Sequence, residues 1–221
     1  LVGFGDIIED NAFENCLSIE KLEFTKDADL TSIGAFAFRG SALEYVKHIP
    51  SSVLDIKSSA FRETPYLQKF SFEKGSLLQV INDFAFYQSG LKSIDIPCSV
   101  IAIAANAFRE SLDLKDVAFE KDGVLSSIGE FAFFLTNIDT VNIPSSVTSI
   151  GASAFRTLTL KHVNIEEDSL LTSIGSFAFF ETQIKKIYIP SLLTSLGDSA
   201  LRSVNLKEVT IASNCDTTIL G

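Results

Sequence analysis

The stretch IDTVNIPSSVTSIGASAFRTLTLKHVNI, residues 138–165, holds one full structural period and the start of the next. Ile138, Val141 and Ile143 occupy positions 1, 4 and 6 of a frame that Leu160, Val163 and Ile165 repeat. Positions 4 and 6 alternate as in a strand with one buried face. Between the two copies come a turn at Pro144, the apolar pair Val147 and Ile150, a glycine, and then Ala154-Phe155.

Working outward, the Ala-Phe pair recurs along the whole chain. Its phenylalanines are Phe13, Phe38, Phe61, Phe86, Phe108, Phe133, Phe155 and Phe179, separated by 25, 23, 25, 22, 25, 22 and 24 residues. A ninth copy, Ala200-Leu201, keeps the alanine only. A fixed period in the twenties is the mark of a solenoid, in which each repeat leans on its neighbours. The small alanine permits close approach, and each Phe is expected to stack on the Phe of the next repeat. The strand frame returns with it, as in Leu91/Ile94/Ile96 and Ile184/Ile187/Ile189. The copy Leu43/Val46/Ile49 carries one extra residue and reads as a bulge. Glycine follows the apolar pair at Gly34, Gly129, Gly151, Gly175 and Gly197, where a sharp backbone bend is expected.

The repeats alternate in kind. Even repeats read Phe-Ala-Phe (Phe36, Phe84, Phe131, Phe177) and end their strand on Pro50, Pro97, Pro144 or Pro190. Odd repeats replace the first Phe by Asn11, Ser59, Asn106, Ser153 or Ser199 and carry a longer charged loop in place of the proline turn. Proline lacks an N–H, so a strand end suits it.

At 221 residues, with 46% hydrophobic and 21% charged residues, the chain can bury a continuous core and reads as one elongated domain over 1–221. Its net charge of -10 argues against a phosphate-backbone partner, and no nucleic acid is expected. No apolar run approaches the ~18–20 residues of a membrane span, so no direct membrane insertion is expected. The start, LVGFGDIIED, lacks the basic region and apolar core of a signal peptide. No Met occurs, even at position 1, which reads as a piece of a longer chain. Cys16, Cys98 and Cys215 fit neither a metal spacing nor a disulfide framework.

The motifs IPSSVTSIGASAF (143–155), DSLLTSIGSFAF (168–179) and LKHVNI (160–165) resemble the BspA-type leucine-rich repeats of bacterial and protist surface proteins. The resemblance covers roughly residues 8–211. It implies a β-rich leucine-rich-repeat solenoid, a right-handed superhelix or horseshoe of about nine repeats of 22–25 residues. A parallel β-sheet would form one face, with short turns or helical segments on the other. It further implies a cell-surface or secreted, adhesin-like protein that binds host or neighbouring-cell proteins.

Within the strand frame, positions 3 and 5 point outward, and stacked strands make them a flat repeated surface. The candidate binding residues on that face are Tyr45, Lys47, Lys69, Asp95, Asp116, Asn142, His162, Asn164, Lys186 and Tyr188. Exposed tyrosine is a favoured contact residue. All five arginines, Arg39, Arg62, Arg109, Arg156 and Arg202, directly follow an Ala-Phe or Ala-Leu pair. Their stems would cover the Phe ladder while their heads pair with Glu63, Glu110 or a loop carbonyl. The odd-repeat loops gather Asp27, Asp29, Glu73, Glu120, Asp122, Glu166, Glu167 and Asp168 into an acidic ridge, interspersed with Lys26, Lys74 and Lys121, that reads as a solvated rim.

No catalytic motif is present, and no catalytic residue, metal ligand or cofactor is assigned. His48 and His162 lie in or beside strands several repeats apart. The leading expectation is therefore a non-enzymatic protein-binding module displayed outside the cell. The alternatives are an intracellular repeat scaffold or regulator, and a substrate-positioning domain of a larger enzyme.

Overall fold

The computed structural model of the chain describes residues 7–25, 28–213 and 215. Each turn of the chain supplies a short strand and a longer one. The short strands are β1 (Ile7–Ile8), β3 (Ser32–Ile33), β5 (Asp55–Ile56), β7 (Val80–Ile81), β9 (Ala102–Ile103), β11 (Ser127–Ile128), β13 (Ser149–Ile150), β15 (Ser173–Ile174) and β17 (Ser195–Leu196). The longer strands are β2 (Lys21–Glu23), β4 (Tyr45–Ile49), β6 (Lys69–Phe72), β8 (Ser93–Ile96), β10 (Asp116–Phe119), β12 (Thr140–Ile143), β14 (His162–Ile165), β16 (Lys186–Ile189) and β18 (Glu208–Ile211). The fold is a β-solenoid of about nine turns in which strand pairs join one turn to the next in parallel. Of the turns and helical segments expected opposite the long strands, the described residues show turns and no helix.

The short strands form an unbroken nine-stranded sheet. Their second residues stack in register as Ile8, Ile33, Ile56, Ile81, Ile103, Ile128, Ile150, Ile174 and Leu196. Two residues are too few to show a strand period, so the sequence shows this second sheet only as an apolar pair.

The long-strand face, expected as one flat sheet, is instead divided into β2–β4–β6, β8–β10, β12–β14 and β16–β18. The division falls at three of the four proline turns. In odd turns the residue after the strand donates its N–H to the preceding turn: Glu73 to the Ile49 carbonyl at 2.9 Å, Glu120 to Ile96 at 3.0 Å and Ala212 to Ile189 at 2.9 Å. In the turns of β8, β12 and β16 that place is Pro97, Pro144 or Pro190, which has no N–H to give. These strands pair with the turn after them and not with the turn before. β4 keeps both neighbours despite Pro50, and it carries the expected bulge. Its register shifts between Val46 and Ile49, with His48 at φ 55° and the His48 N–H donating to Ser71 Oγ.

Opposite the long strands runs the Phe arc. The eight rings from Phe13 to Phe179 stack face to face, with centroids 5.1–5.5 Å apart and planes within 9° of parallel. Phe38 to Phe179 are fully buried, while Phe13 is half-buried at the first turn. The residue before each alanine has a left-handed φ of 52–60°: Asn11, Phe36, Ser59, Phe84, Asn106, Phe131, Ser153, Phe177 and Ser199. That conformation costs an L-residue on the order of 1–2 kcal/mol. It turns alternate N–H groups along the stack, as in Asn106 to the Glu130 carbonyl and Phe108 to the Ala132 carbonyl, both 2.8 Å. The intervening residues close tight turns within their own repeat, as Arg109 does onto Asn106 at 3.1 Å. The positive φ therefore falls two residues after the glycine that was expected to supply the bend. At Gly151 the requirement is space: a Cβ there would lie 2.5 Å from the Glu130 nitrogen of the preceding turn.

Removing a central ring breaks two stacking contacts and leaves a cavity, so Phe108→Ala should cost about 3–5 kcal/mol. Phe13→Ala should cost clearly less, because its ring is half-buried and stacks on one side. Urea unfolding midpoints of the two variants test this; equal losses would contradict a stack supported from both sides.

Candidate interaction surface

The sequence-derived candidates lie on the long strands. Lys47, Lys69, Asp95, Asp116, Asn142, His162, Asn164 and Lys186 are exposed, and Tyr45 and Tyr188 are half-buried. Register makes some of them neighbours. Tyr45 stands beside Lys69, whose Nζ lies 5.7 Å from the ring centre. Asn164 Nδ2 donates to Asn142 Oδ1 at 2.6 Å. His162 faces Thr140, Lys186 faces Glu208 and Tyr188 faces Thr210. Asp95 faces Ala118 and Asp116 faces Ser93. Lys47 comes within 3.9 Å of Glu23.

Tyr45 and Tyr188 are not brought together. Six turns separate β4 from β16, roughly 29 Å at ~4.8 Å per turn. The candidates thus form one patch around Tyr45, Lys47 and Lys69 and another around Asn142, His162, Asn164, Lys186 and Tyr188. Asp95 and Asp116 lie between them on the paired strands β8 and β10.

The arginines sit on the outer side of the Phe arc, as expected, with an arrangement the sequence reading missed. Along the stack the place after Ala-Phe is filled by Glu14, Arg39, Arg62, Tyr87, Arg109, Phe134, Arg156, Phe180 and, after Ala-Leu, Arg202. Beyond Arg39, arginine and aromatic alternate. Arg62 lies 5.0 Å from the Tyr87 ring centre, Arg109 5.4 Å and Arg156 5.7 Å from Phe134, and Arg156 4.8 Å and Arg202 5.4 Å from Phe180. Tyr87, Phe134 and Phe180 are held edge-on by Phe84, Phe131 and Phe177, the first rings of the Phe-Ala-Phe motifs. Two guanidinium groups one turn apart would repel, and an interposed ring converts that repulsion into cation–π attraction. The signal was in the sequence, in the aromatic that follows Ala-Phe in three even repeats.

Where Arg39 and Arg62 do adjoin, Glu63 receives both, at 3.1 and 2.9 Å. Burial would raise the Glu63 carboxyl, but hydrogen bonds from Arg39 and Arg62 hold it below its ordinary value. Burial likewise acts to raise Glu110, and hydrogen bonds from Gln88, Arg109 and Tyr87 outweigh it and lower it. Tyr87 is pushed up by its burial and by the Glu110 carboxylate. Arg109 bonds Glu110 at 3.1 Å and Arg156 bonds Glu181 at 2.9 Å.

The acidic ridge is partly structural. Glu73 Oε2 accepts the Ser51 N–H at 3.0 Å and Glu120 Oε2 accepts the Cys98 N–H at 2.9 Å, each tying a charged loop to the proline turn before it. Asp29, Asp122, Glu166, Glu167 and Asp168 are exposed, whereas Lys26 and Asp27 lie outside the described residues. Among the described residues no group of three or more His, Cys, Asp and Glu could hold a metal ion, and no helix is long and apolar enough to cross a membrane.

Parallel strands, an apolar ladder per position and a period in the twenties define a leucine-rich-repeat module. The chain belongs to the BspA-type leucine-rich repeat family, whose pattern matches in six copies over residues 6–125 and 126–219. No curated protein matches it in sequence. Among solved structures it is similar to the pneumococcal vaccine antigen PcpA, at 22% identity and TM-score 0.65, covering 98% of this chain and 68% of that one. A leucine-rich repeat protein from Bacteroides ovatus matches at 21% identity and TM-score 0.70, covering 95% of this chain and 65% of that one. One from Eubacterium ventriosum matches at 22% identity and TM-score 0.59, covering 95% and 58%. At these identities the likeness establishes the fold. Family and fold fit a repeat module for protein interaction, of a kind that is generally non-enzymatic.

Two outcomes test the arginine column. A double-mutant cycle on Arg156→Ala and Phe180→Ala should return a coupling of about 0.5–1 kcal/mol. The lowered Glu63 carboxyl stabilises the fold when ionised. The stability lost in Glu63→Gln should therefore be full at neutral pH and shrink as pH falls from the ordinary glutamate range through the lowered carboxyl. Urea midpoints of both proteins at pH 7 and pH 3 measure the gap; a gap that widens in acid contradicts the pairing.

Proposed function

We propose that the chain is the non-enzymatic binding module of a cell-surface or secreted, adhesin-like protein, coiled as a right-handed horseshoe. It recognises host or neighbouring-cell proteins through its long-strand face. The observation that carries this reading is that face itself. Lys47, Lys69, Asn142, His162, Asn164 and Lys186 project from a scaffold whose core residues are elsewhere, so their identity is free to serve recognition. Tyr45 and Tyr188 add two aromatic anchors of the kind that dominates protein interfaces. Family membership and the likeness to a pneumococcal vaccine antigen support display outside the cell.

The separation of the tyrosines shapes the test. The purified chain is offered to extracellular-matrix and serum proteins beside two variants, Tyr45→Ala/Lys69→Ala and Lys186→Ala/Tyr188→Ala. Saturable binding lost in one variant and kept in the other would locate the contact on that patch. Binding equal in all three proteins would sink the long-strand reading.

A further inference from the structure

We propose that this chain pairs with a second copy of itself, antiparallel, through the flank between the Phe arc and the long strands. The five most exposed large apolar side chains among the described residues are Leu17, Tyr66, Leu112, Leu158 and Val204, at 59–76% exposure. All five lie on this flank, between the Phe or Leu of their turn and its long strand, and all belong to odd turns. They follow one another at 49, 46, 46 and 46 residues. At ~4.8 Å per turn they form a column with one apolar tip every ~10 Å, about 40 Å long. In the even turns the same place is Ala42, Gly90, Asn137 or Gln183. Side chains this exposed add little to the chain's own core, and a regular apolar array in solvent is the mark of an interface.

The charges beside the column say what covers it. The residue just before each long strand recurs once per turn in a lane along the stack, and within each long-strand sheet backbone bonds hold it, as in Glu44 N–H to the Glu20 carbonyl at 2.7 Å and Lys207 N–H to the Lys185 carbonyl at 2.9 Å. At the first turns this lane carries Glu20 and Glu44; at the last it carries Lys161, Lys185 and Lys207. Near the middle stand Lys92 and Asp139.

A two-fold axis through Leu112 reverses the order of turns and sets each lane against its own copy. Glu20 then faces Lys207 of the other copy, Glu44 faces Lys185, and Lys92 faces Asp139. On the apolar column Leu17 meets Val204, Tyr66 meets Leu158, and Leu112 meets itself. Lys115 meets its own copy at the axis, with Asp113 and Asp116 of the same turn beside it. A parallel pairing would put Glu on Glu and Lys on Lys. The contacts these lysines make within the chain, Lys161 to Asp139 at 3.8 Å and Lys92 to Gln68 at 3.0 Å, are exposed and free to exchange. A strip about 40 Å long need be only about 20 Å wide to bury the ~800 Å² per partner of a standard interface.

Sedimentation equilibrium of the chain from about 1 µM to 1 mM should show a reversible dimer that weakens as salt rises. Leu112→Asp should abolish it. Glu44→Lys and Lys185→Glu should each weaken it by about tenfold, since each sets like charges together twice per dimer. The double variant should recover the wild-type constant. Thermal unfolding of each variant checks that it remains folded. A chain monomeric at about 1 mM, a dimer indifferent to Leu112→Asp, or a double variant no better than the singles overturns the proposal. None of the substituted residues belongs to the candidate set on the long-strand face, so that failure leaves the binding reading standing.

Discussion

Every turn of this protein sits on its predecessor in backbone register, so every side chain must tolerate its own copy about one strand spacing away. The unbroken short-strand sheet and the N–H groups that the arc turns along the stack impose that condition. Phenylalanine meets it by stacking, with rings 5.1–5.5 Å apart, and isoleucine by packing methyl on methyl. Alanine meets it by being small enough for the arc to close beside the ring. From Asn11 to Phe177 the left-handed residue before each alanine meets it by giving its N–H to the next turn.

Arginine does not meet that condition, and this is where the two-turn rhythm acquires a physical cause. Like charges in adjacent turns repel, so an aromatic ring stands between Arg62 and Arg109, between Arg109 and Arg156, and between Arg156 and Arg202. Where the alternation lapses, at Arg39 and Arg62, Glu63 bridges the two and Glu14 gives Arg39 a second carboxylate. Proline follows the same rhythm. It falls in one turn of two, and after Pro50 and Pro97 the glutamate of the next loop, Glu73 or Glu120, accepts the N–H of the residue after the proline and ties the two turns together. The superperiod read from the sequence is thus a rule against stacking what cannot stack.

That rule separates the molecule into parts with different freedoms. The arc and the short-strand ladder are bound to uniformity. The long-strand face and the flank beside it are not, and charge and aromatic character change there from turn to turn. Recognition by a repeat protein needs this combination, a rigid repeating frame with variable outward positions.

The Phe ladder was legible because one residue type at one period has one way to stack. The bulge in β4 was legible from a single extra residue. The arginine pairing with Glu63 and Glu110 was legible from adjacency; its alternation with Tyr87, Phe134 and Phe180 was written there too, but as two residue types taking turns at one place, which a search for one repeated type passes over. The outward positions of the candidate residues followed from the strand frame. Their division into two patches did not, since separation along the stack is a property of the assembled turns.

The sequence by itself determined the solenoid, its period, the buried ladder and the alternation of two kinds of turn, because these are repeated patterns of residue type. Only the tertiary structure decided where the glycines matter, at which turns the long-strand face divides, and that two-residue strands form its longest sheet. Each of those depends on which backbone group of one turn meets which group of the next.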